Sequence, residues 1–162
     1  MSVIWQFKNE EKTNINVILE KIDEIIKLSV SKAILYGDIF QRDEIIFIIN
    51  RLTKHNISVI TIAENADIPE RKLNKLSENK KASLYIFIDP EEFRQGNCTI
   101  TDDDLTYLRK YDLYKGIISP QNSGYYVSER SNNISEHMRK NPDAKKSFDE
   151  LEPMFKATPT AV

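Results

Sequence analysis

The sequence predicts an α/β fold of about five consecutive βα units around a mainly parallel sheet. Short β-branched and aromatic runs recur five times, and the segments between them carry apolar residues at three- and four-residue spacing. Each run is also stopped by a polar or turn-forming cluster, which places a loop after every strand. Such a sheet is either a partial barrel or a flavodoxin-like three-layer sandwich, and the βα rhythm alone leaves both open.

Val3 to Phe7 suits a first strand, with the polar stretch Lys8 to Lys12 as its exit. Thr13 or Asn14 can cap the helix that follows, where Ile15, Ile18, Leu19, Ile22, Ile25 and Ile26 form one broad apolar stripe. Ala33 to Tyr36 is the second strand and stops at Gly37-Asp38. The second helix runs from about Gln41 to Lys54, with Ile45, Ile46, Ile48, Ile49 and Leu52 apolar.

Ser58 to Ala63 is nearly continuously apolar, as a strand covered on both faces must be, and breaks at Glu64-Asn65-Ala66-Asp67. Pro69 fits the first turn of a third helix carrying Leu73 and Leu76. Leu84 to Ile88 is the fourth strand, stopped by Asp89-Pro90 because proline cannot continue a central ladder. Thr101 followed by Asp102, Asp103 and Asp104 sets a capping hydroxyl and negative charge at the start of a fourth helix. Gly116 to Ser119 is the fifth strand and ends at Pro120.

Beyond Pro120 the rhythm fails. Tyr125-Tyr126-Val127 reads as a short edge strand, Ser131 to Arg139 as a weakly apolar helix and Ser147 to Phe155 as a last amphipathic turn or two. The expected organisation is a βα-repeat domain over 1–125, a helical extension packed on it over 126–155, and a mobile tail over 156–162.

At 162 residues one domain is the default, and 40% apolar with 30% charged residues is the composition of an ordinary globular protein. The net charge is −2, and bases and acids are mixed along the chain. On that linear reading no basic face offers the counterion release on which nucleic-acid affinity depends, so nucleic acid is not an expected partner. The single cysteine, Cys98, excludes an internal disulfide and any site needing two thiolates from this chain, and fits a reducing, cytoplasmic setting. No window approaches 18 uninterrupted apolar residues, and the N-terminal residues lack a signal-peptide pattern, so no membrane span is expected.

Chemistry in such a fold belongs to the loops at the carboxyl ends of the strands. The candidates for binding there are Glu10, Asp38, Glu64, Asn65, Asp89, Asn122 and Tyr125. Converging carboxylates can hold magnesium through oxygen ligands or form a general acid and base pair. The same residue types are what caps and turns require, and that structural explanation carries more weight. Gly37-Asp38 has neither the further glycines of a dinucleotide fingerprint nor the Gly-Lys-Ser/Thr end of a P-loop. His55, His137 and Cys98 stand without a recognisable partner. Tyr107, Tyr111, Tyr114 and Tyr125 suit either aromatic anchoring of a partner or ordinary core packing.

The order of exits resembles part of a radical-SAM-type barrel over residues 3 to 120. Ile34-Leu35-Tyr36-Gly37-Asp38-Ile39-Phe40 is similar to the strand leading into that family's Gly-Gly-Glu-Pro loop. Val59 to Ala66 resembles the strand ending in Thr-Asn-Gly, and Ile86-Phe87-Ile88-Asp89-Pro90 falls where Ser-Leu-Asp-Gly is usual. The stretch Lys8 to Lys12 holds no cysteine where the family places its three-cysteine cluster motif, which excludes cluster chemistry here. The resemblance implies a shortened barrel without catalysis, like accessory proteins of peptide-maturation systems.

Two functional expectations follow. The first is a non-catalytic binding or accessory protein that takes a peptide or protein partner on its exit loops, with homodimer formation compatible with the exposed sheet edge. The second is a small ligand-binding domain or enzyme that uses the acidic exits, with magnesium as its ion. No resident cofactor is implied by either.

Overall fold

The computed structural model describes residues 2–7, 14–87, 100–119, 125–127 and 160–161. Five parallel strands, β1 (Ser2–Phe7), β2 (Lys32–Gly37), β3 (Ser58–Ala63), β4 (Ala82–Phe87) and β5 (Tyr114–Ser119), lie side by side in chain order. Among the described residues four helices connect them: α1 (Ile15–Lys27), α2 (Ile45–Lys54), α3 (Glu70–Ser77) and α4 (Asp102–Arg109). The α/β class is the one the sequence predicts. Two short strands extend the sheet: β6 (Tyr125–Val127) antiparallel to β5, and β7 (Thr160–Ala161) parallel to β1. The expected helices at Ser131 to Arg139 and Ser147 to Phe155 lie outside the described residues. Of the tail over 156–162, Thr160–Ala161 are described, and they are the residues that pair with Trp5 and Gln6.

Chain order within the sheet decides how the helices lie. Right-handed crossovers between successive neighbours all return over the same face. Accordingly, one core joins alternate residues of every parallel strand, among them Trp5, Leu35, Val59, Leu84 and Ile117, to Ile22 of α1, Ile48 of α2, Leu76 of α3 and Leu108 of α4. The flavodoxin-like alternative requires strand order to reverse at β1, and it does not reverse here. The opposite strand face carries Ile34, Ile60, Ile62 and Tyr85, all buried. Above Ile62 the Tyr36 and Phe87 rings meet edge to face at 5.7 Å, although β2 and β4 are about 10 Å apart.

Local chemistry sets the element ends. Asn14 caps α1, its side-chain oxygen accepting from the Asn16 N–H at 2.8 Å. Thr101 and Asp104 form a reciprocal capping box on α4. Pro69 is itself the N-cap of α3, extended at ψ 133°, one position before the expected first turn. Gly37 ends β2 at φ +116°, and a Cβ there would lie 2.3 Å from the Phe7 carbonyl oxygen, so β1 and β2 approach at a point where a side chain does not fit. A register shift beside Leu84 and Tyr85 passes over Lys115, so that Tyr114 stands opposite Leu84 and Gly116, at φ +146°, opposite Tyr85.

The start of the second helix differs from expectation. The apolar pattern predicts helix from about Gln41, but Ile39–Gln41 is a separate 3-10 turn and α2 begins at Ile45. Arg42 between them is extended at ψ 133°. The Lys72 ammonium, reaching over from α3, donates to the Phe40 and Arg42 carbonyl oxygens at 2.6 and 3.0 Å and holds this segment in its non-helical path.

Candidate functional site at the strand-exit edge

Because the strands are parallel, their carboxyl ends and the N-termini of the helices share one edge. Gly37 and Ala63 are in register, so Asp38 and Glu64, each one residue further on, leave neighbouring strands side by side. Asp38 is the N-cap of the 3-10 turn but makes no side-chain cap bond. Glu64 and Asn65 are exposed. The Asn65 side-chain oxygen accepts from the Asp67 N–H at 3.0 Å, which folds the loop back on itself. Tyr125 lies in β6 opposite Ser119. Glu10, Asp89 and Asn122 lie outside the described residues, as do Cys98 and His137. His55 is the C-cap of α2, at the far edge of the sheet.

The loop after β3 and the start of α4 enclose a half-open cleft of about 390 Å³. Asn65, Asp67 and Asp104 supply its polar lining, and Ile68, Ile100 and Tyr107 its apolar lining. Asn65 is therefore the expected residue that reaches the cleft, whereas Asp38 and Glu64 do not line it.

Several side chains fix this edge. Lys72 is 4% exposed and clamps the loop after β2. The Arg42 guanidinium lies 5.1 Å from the Phe7 ring centroid, joining that loop to the end of β1. Gln41 Nε2 donates to the Asp67 carbonyl in a long 3.5 Å bond between the β2 and β3 exits. Tyr107 Oη donates to the Ile68 carbonyl at 3.0 Å, and Tyr111 Oη donates to Glu70 Oε1 at 3.2 Å, so α4 is tied to the loop before α3 and to α3 itself. The two tyrosine rings meet edge to face at 5.9 Å. Burial, and after it the Glu70 carboxylate, push the Tyr107 hydroxyl above its ordinary value. Both phenols are thus neutral donors at physiological pH.

These roles went unread in the sequence for identifiable reasons. Lys72 sits one residue before Leu73 and four before Leu76, on the stripe that α3 buries, and that spacing was the available signal. Asp104 was read as a helix-start acid, which it is. Its place in the cleft depends on the β3 loop lying beside α4, a relation that local sequence does not carry.

Among the described residues no group of three or more His, Cys, Asp or Glu is placed to hold a metal ion, and no helix is long and apolar enough to cross a membrane. Comparison with protein families, curated proteins and solved structures finds no match to this chain.

Proposed function

We propose that this protein is a non-catalytic binding protein that takes a peptide or protein partner on its strand-exit edge, around the cleft formed by Asn65, Asp67, Asp104 and Tyr107. The observation that carries the reading is that the polar side chains of this edge serve to fix loops. Asn65 and Tyr107 each bond to backbone and hold the cleft walls in place before any partner arrives, and Lys72 fixes the neighbouring loop after β2 in the same way. A rim held in this way loses less freedom on binding, which is how a recognition surface gains affinity. Carboxylates beside isoleucines suit a basic side chain flanked by apolar contacts. The missing cysteines in Lys8 to Lys12 favour the same reading through the radical-SAM-type resemblance.

The test is affinity capture from lysate of the source cells with the tagged chain, quantified against Asp67→Lys and against Asp23→Lys, an equal charge change on the exposed side of α1. A defined protein retained by the wild type and Asp23→Lys but lost with Asp67→Lys is the expected result. Enrichment of nothing over the tag alone, or equal retention by Asp67→Lys, overturns the proposal.

A further inference from the structure

The charges that alternate along the sequence separate in space. A βα repeat places every helix start on the strand-exit edge and every helix end on the opposite edge. Asp67, Glu70, Asp103 and Asp104 fall at the first of these edges. Lys27, Arg51, Lys54, Lys75 and Arg109 fall in the last turns of the four helices, at the second. The near-neutral total therefore conceals a basic edge, which corrects the linear reading that no basic face exists.

The helix dipole accounts for one or two bases at each helix end. It does not account for the groove between the ends of α2 and α3. There Lys54, Lys75, Lys80 and Lys81, all exposed, surround a concavity of about 580 Å³ together with Asn50, Thr53 and Asn79, and Glu78 is its one carboxylate. The floor is built by side chains. Asn79 Nδ2 donates to Asn50 Oδ1 at 3.1 Å and to Thr53 Oγ1 at 2.8 Å, bridging the two helix ends. Asn79 Oδ1 accepts from the Lys81 N–H at 3.1 Å, and Lys81 Nζ donates to Asn56 Oδ1 at 2.8 Å. Side-chain to side-chain bonds are a small share of a protein's hydrogen bonds, so a linked set of them marks an ordered surface. Among the described residues Lys54, Lys75 and Lys80 have neither an ion pair nor a hydrogen bond, so three ammonium groups face the groove unneutralised.

We propose that this groove is a docking site for an acidic polypeptide segment, on a surface separate from the strand-exit cleft. The lining selects that chemistry. It holds no aromatic ring on which a base could stack and no arginine fork for bidentate phosphate, the two features that favour nucleic acid. It does hold amide and hydroxyl groups that can meet a peptide backbone, between lysines that can each reach a carboxylate.

The test is fluorescence anisotropy with a labelled oligo-glutamate peptide at low salt, against oligothymidylate of equal charge, and against the wild type and two triple variants. Lys54→Gln, Lys75→Gln and Lys80→Gln together remove three of the four groove ammonium groups, all on exposed side chains. Lys27→Gln, Lys32→Gln and Lys110→Gln make the same change in net charge elsewhere on the edge. The expected result is saturable binding of oligo-glutamate, weakened about tenfold by the groove triple and less than about twofold by the control triple. Equal weakening by both triples reduces the effect to net charge and overturns the proposal, as does tighter binding of oligothymidylate or no saturation. Sedimentation of the free chain adds one more arm: concentration-dependent association abolished by the groove triple would make a second copy's acidic edge the occupant in place of a foreign segment. Binding lost with the groove triple but kept with Asp67→Lys separates this site from the strand-exit cleft.

Discussion

Lys72→Met isolates the clamp on the strand-exit edge. Methionine keeps most of the apolar stem and the volume, so the change falls on the ammonium and its two bonds to Phe40 and Arg42. Hydrogen bonds from a charged donor contribute about 1.5–3 kcal/mol each, and their loss takes one donor from each carbonyl, of which that of Arg42 still accepts from the Ile45 N–H. Against this, removing a largely buried charge relieves its desolvation. Both acceptors are backbone carbonyls in a non-helical path that the buried Ile39 and Phe40 side chains and the Gln41 and Arg42 contacts hold only through side chains, so the loss should win, and the expected net destabilisation is about 2–4 kcal/mol. At this chain length that lowers Tm by about 4–16 °C. The assay is thermal unfolding followed by hydrogen exchange, with Lys75→Met, an exposed lysine one turn along the same helix, as control. Exchange should accelerate at the Arg42 and Ile45 amides, which now donate to Ile39 and Arg42, and should not change at Val59 in the centre of the sheet. If Lys72→Met is as stable as wild type, or if exchange at Arg42 and Ile45 is unchanged, the clamp argument is wrong.

Three further outcomes follow from the same structure. Gly37→Ala should destabilise by about 2–5 kcal/mol in chemical denaturation, since alanine must adopt a positive φ against the Phe7 carbonyl, and a variant as stable as wild type refutes the steric reading. Thr101→Ala removes half of the capping box and should cost about 1 kcal/mol, read by the same method, whereas Thr101→Ser should stay within about 0.5 kcal/mol. Burial holds the Tyr114 hydroxyl well above its ordinary value, with Arg109 opposing, and among the described residues its oxygen has no hydrogen-bond partner. The folded state then keeps a proton that the unfolded state releases above about pH 10, so this contribution is complete at neutral pH and declines as pH rises past that point. Tyr114→Phe should flatten that alkaline decline and raise neutral stability by up to about 1 kcal/mol, and an unchanged decline counts against it.

How much of this was legible depends on the range of the interaction. β3 was read to the residue, because a continuous apolar run bounded by polar clusters is a local signal. The N-cap Thr101 is legible for the same reason, and Asn14 is one of the two candidates, with Thr13, that the sequence offers for α1. The false start at Gln41 arose because Ile39 and Phe40 continue the apolar pattern of α2, while the bond that interrupts the helix comes from Lys72, about thirty residues downstream. From sequence, Tyr107 and Tyr111 suit either partner anchoring or packing; in the fold they pack against the core and bond within the chain to Ile68 and Glu70, which is the packing role. The basic edge was hidden because charge was judged along the chain. A sequence that alternates acids at helix starts with bases at helix ends looks mixed until the helices are aligned in parallel.

Chain-ordered strands also determine where binding can occur. In doubly wound sheets a crevice opens where strand order reverses, because the two adjacent loops turn to opposite faces. With β1 to β5 in sequence no reversal occurs among the parallel strands, and each exit loop turns toward the same helical layer. The exit edge is then a rim without a ready-made crevice, and a cleft must be made by a loop that stands off its own strand. The turn at Asn65 to Ile68 does this, and Tyr107 holds it there from α4, so the cleft spans neighbouring βα units. A cleft so built depends on loop fixation more than on strand geometry, which is why removing Tyr107 should loosen the turn at Asn65 to Ile68 while leaving the sheet register intact.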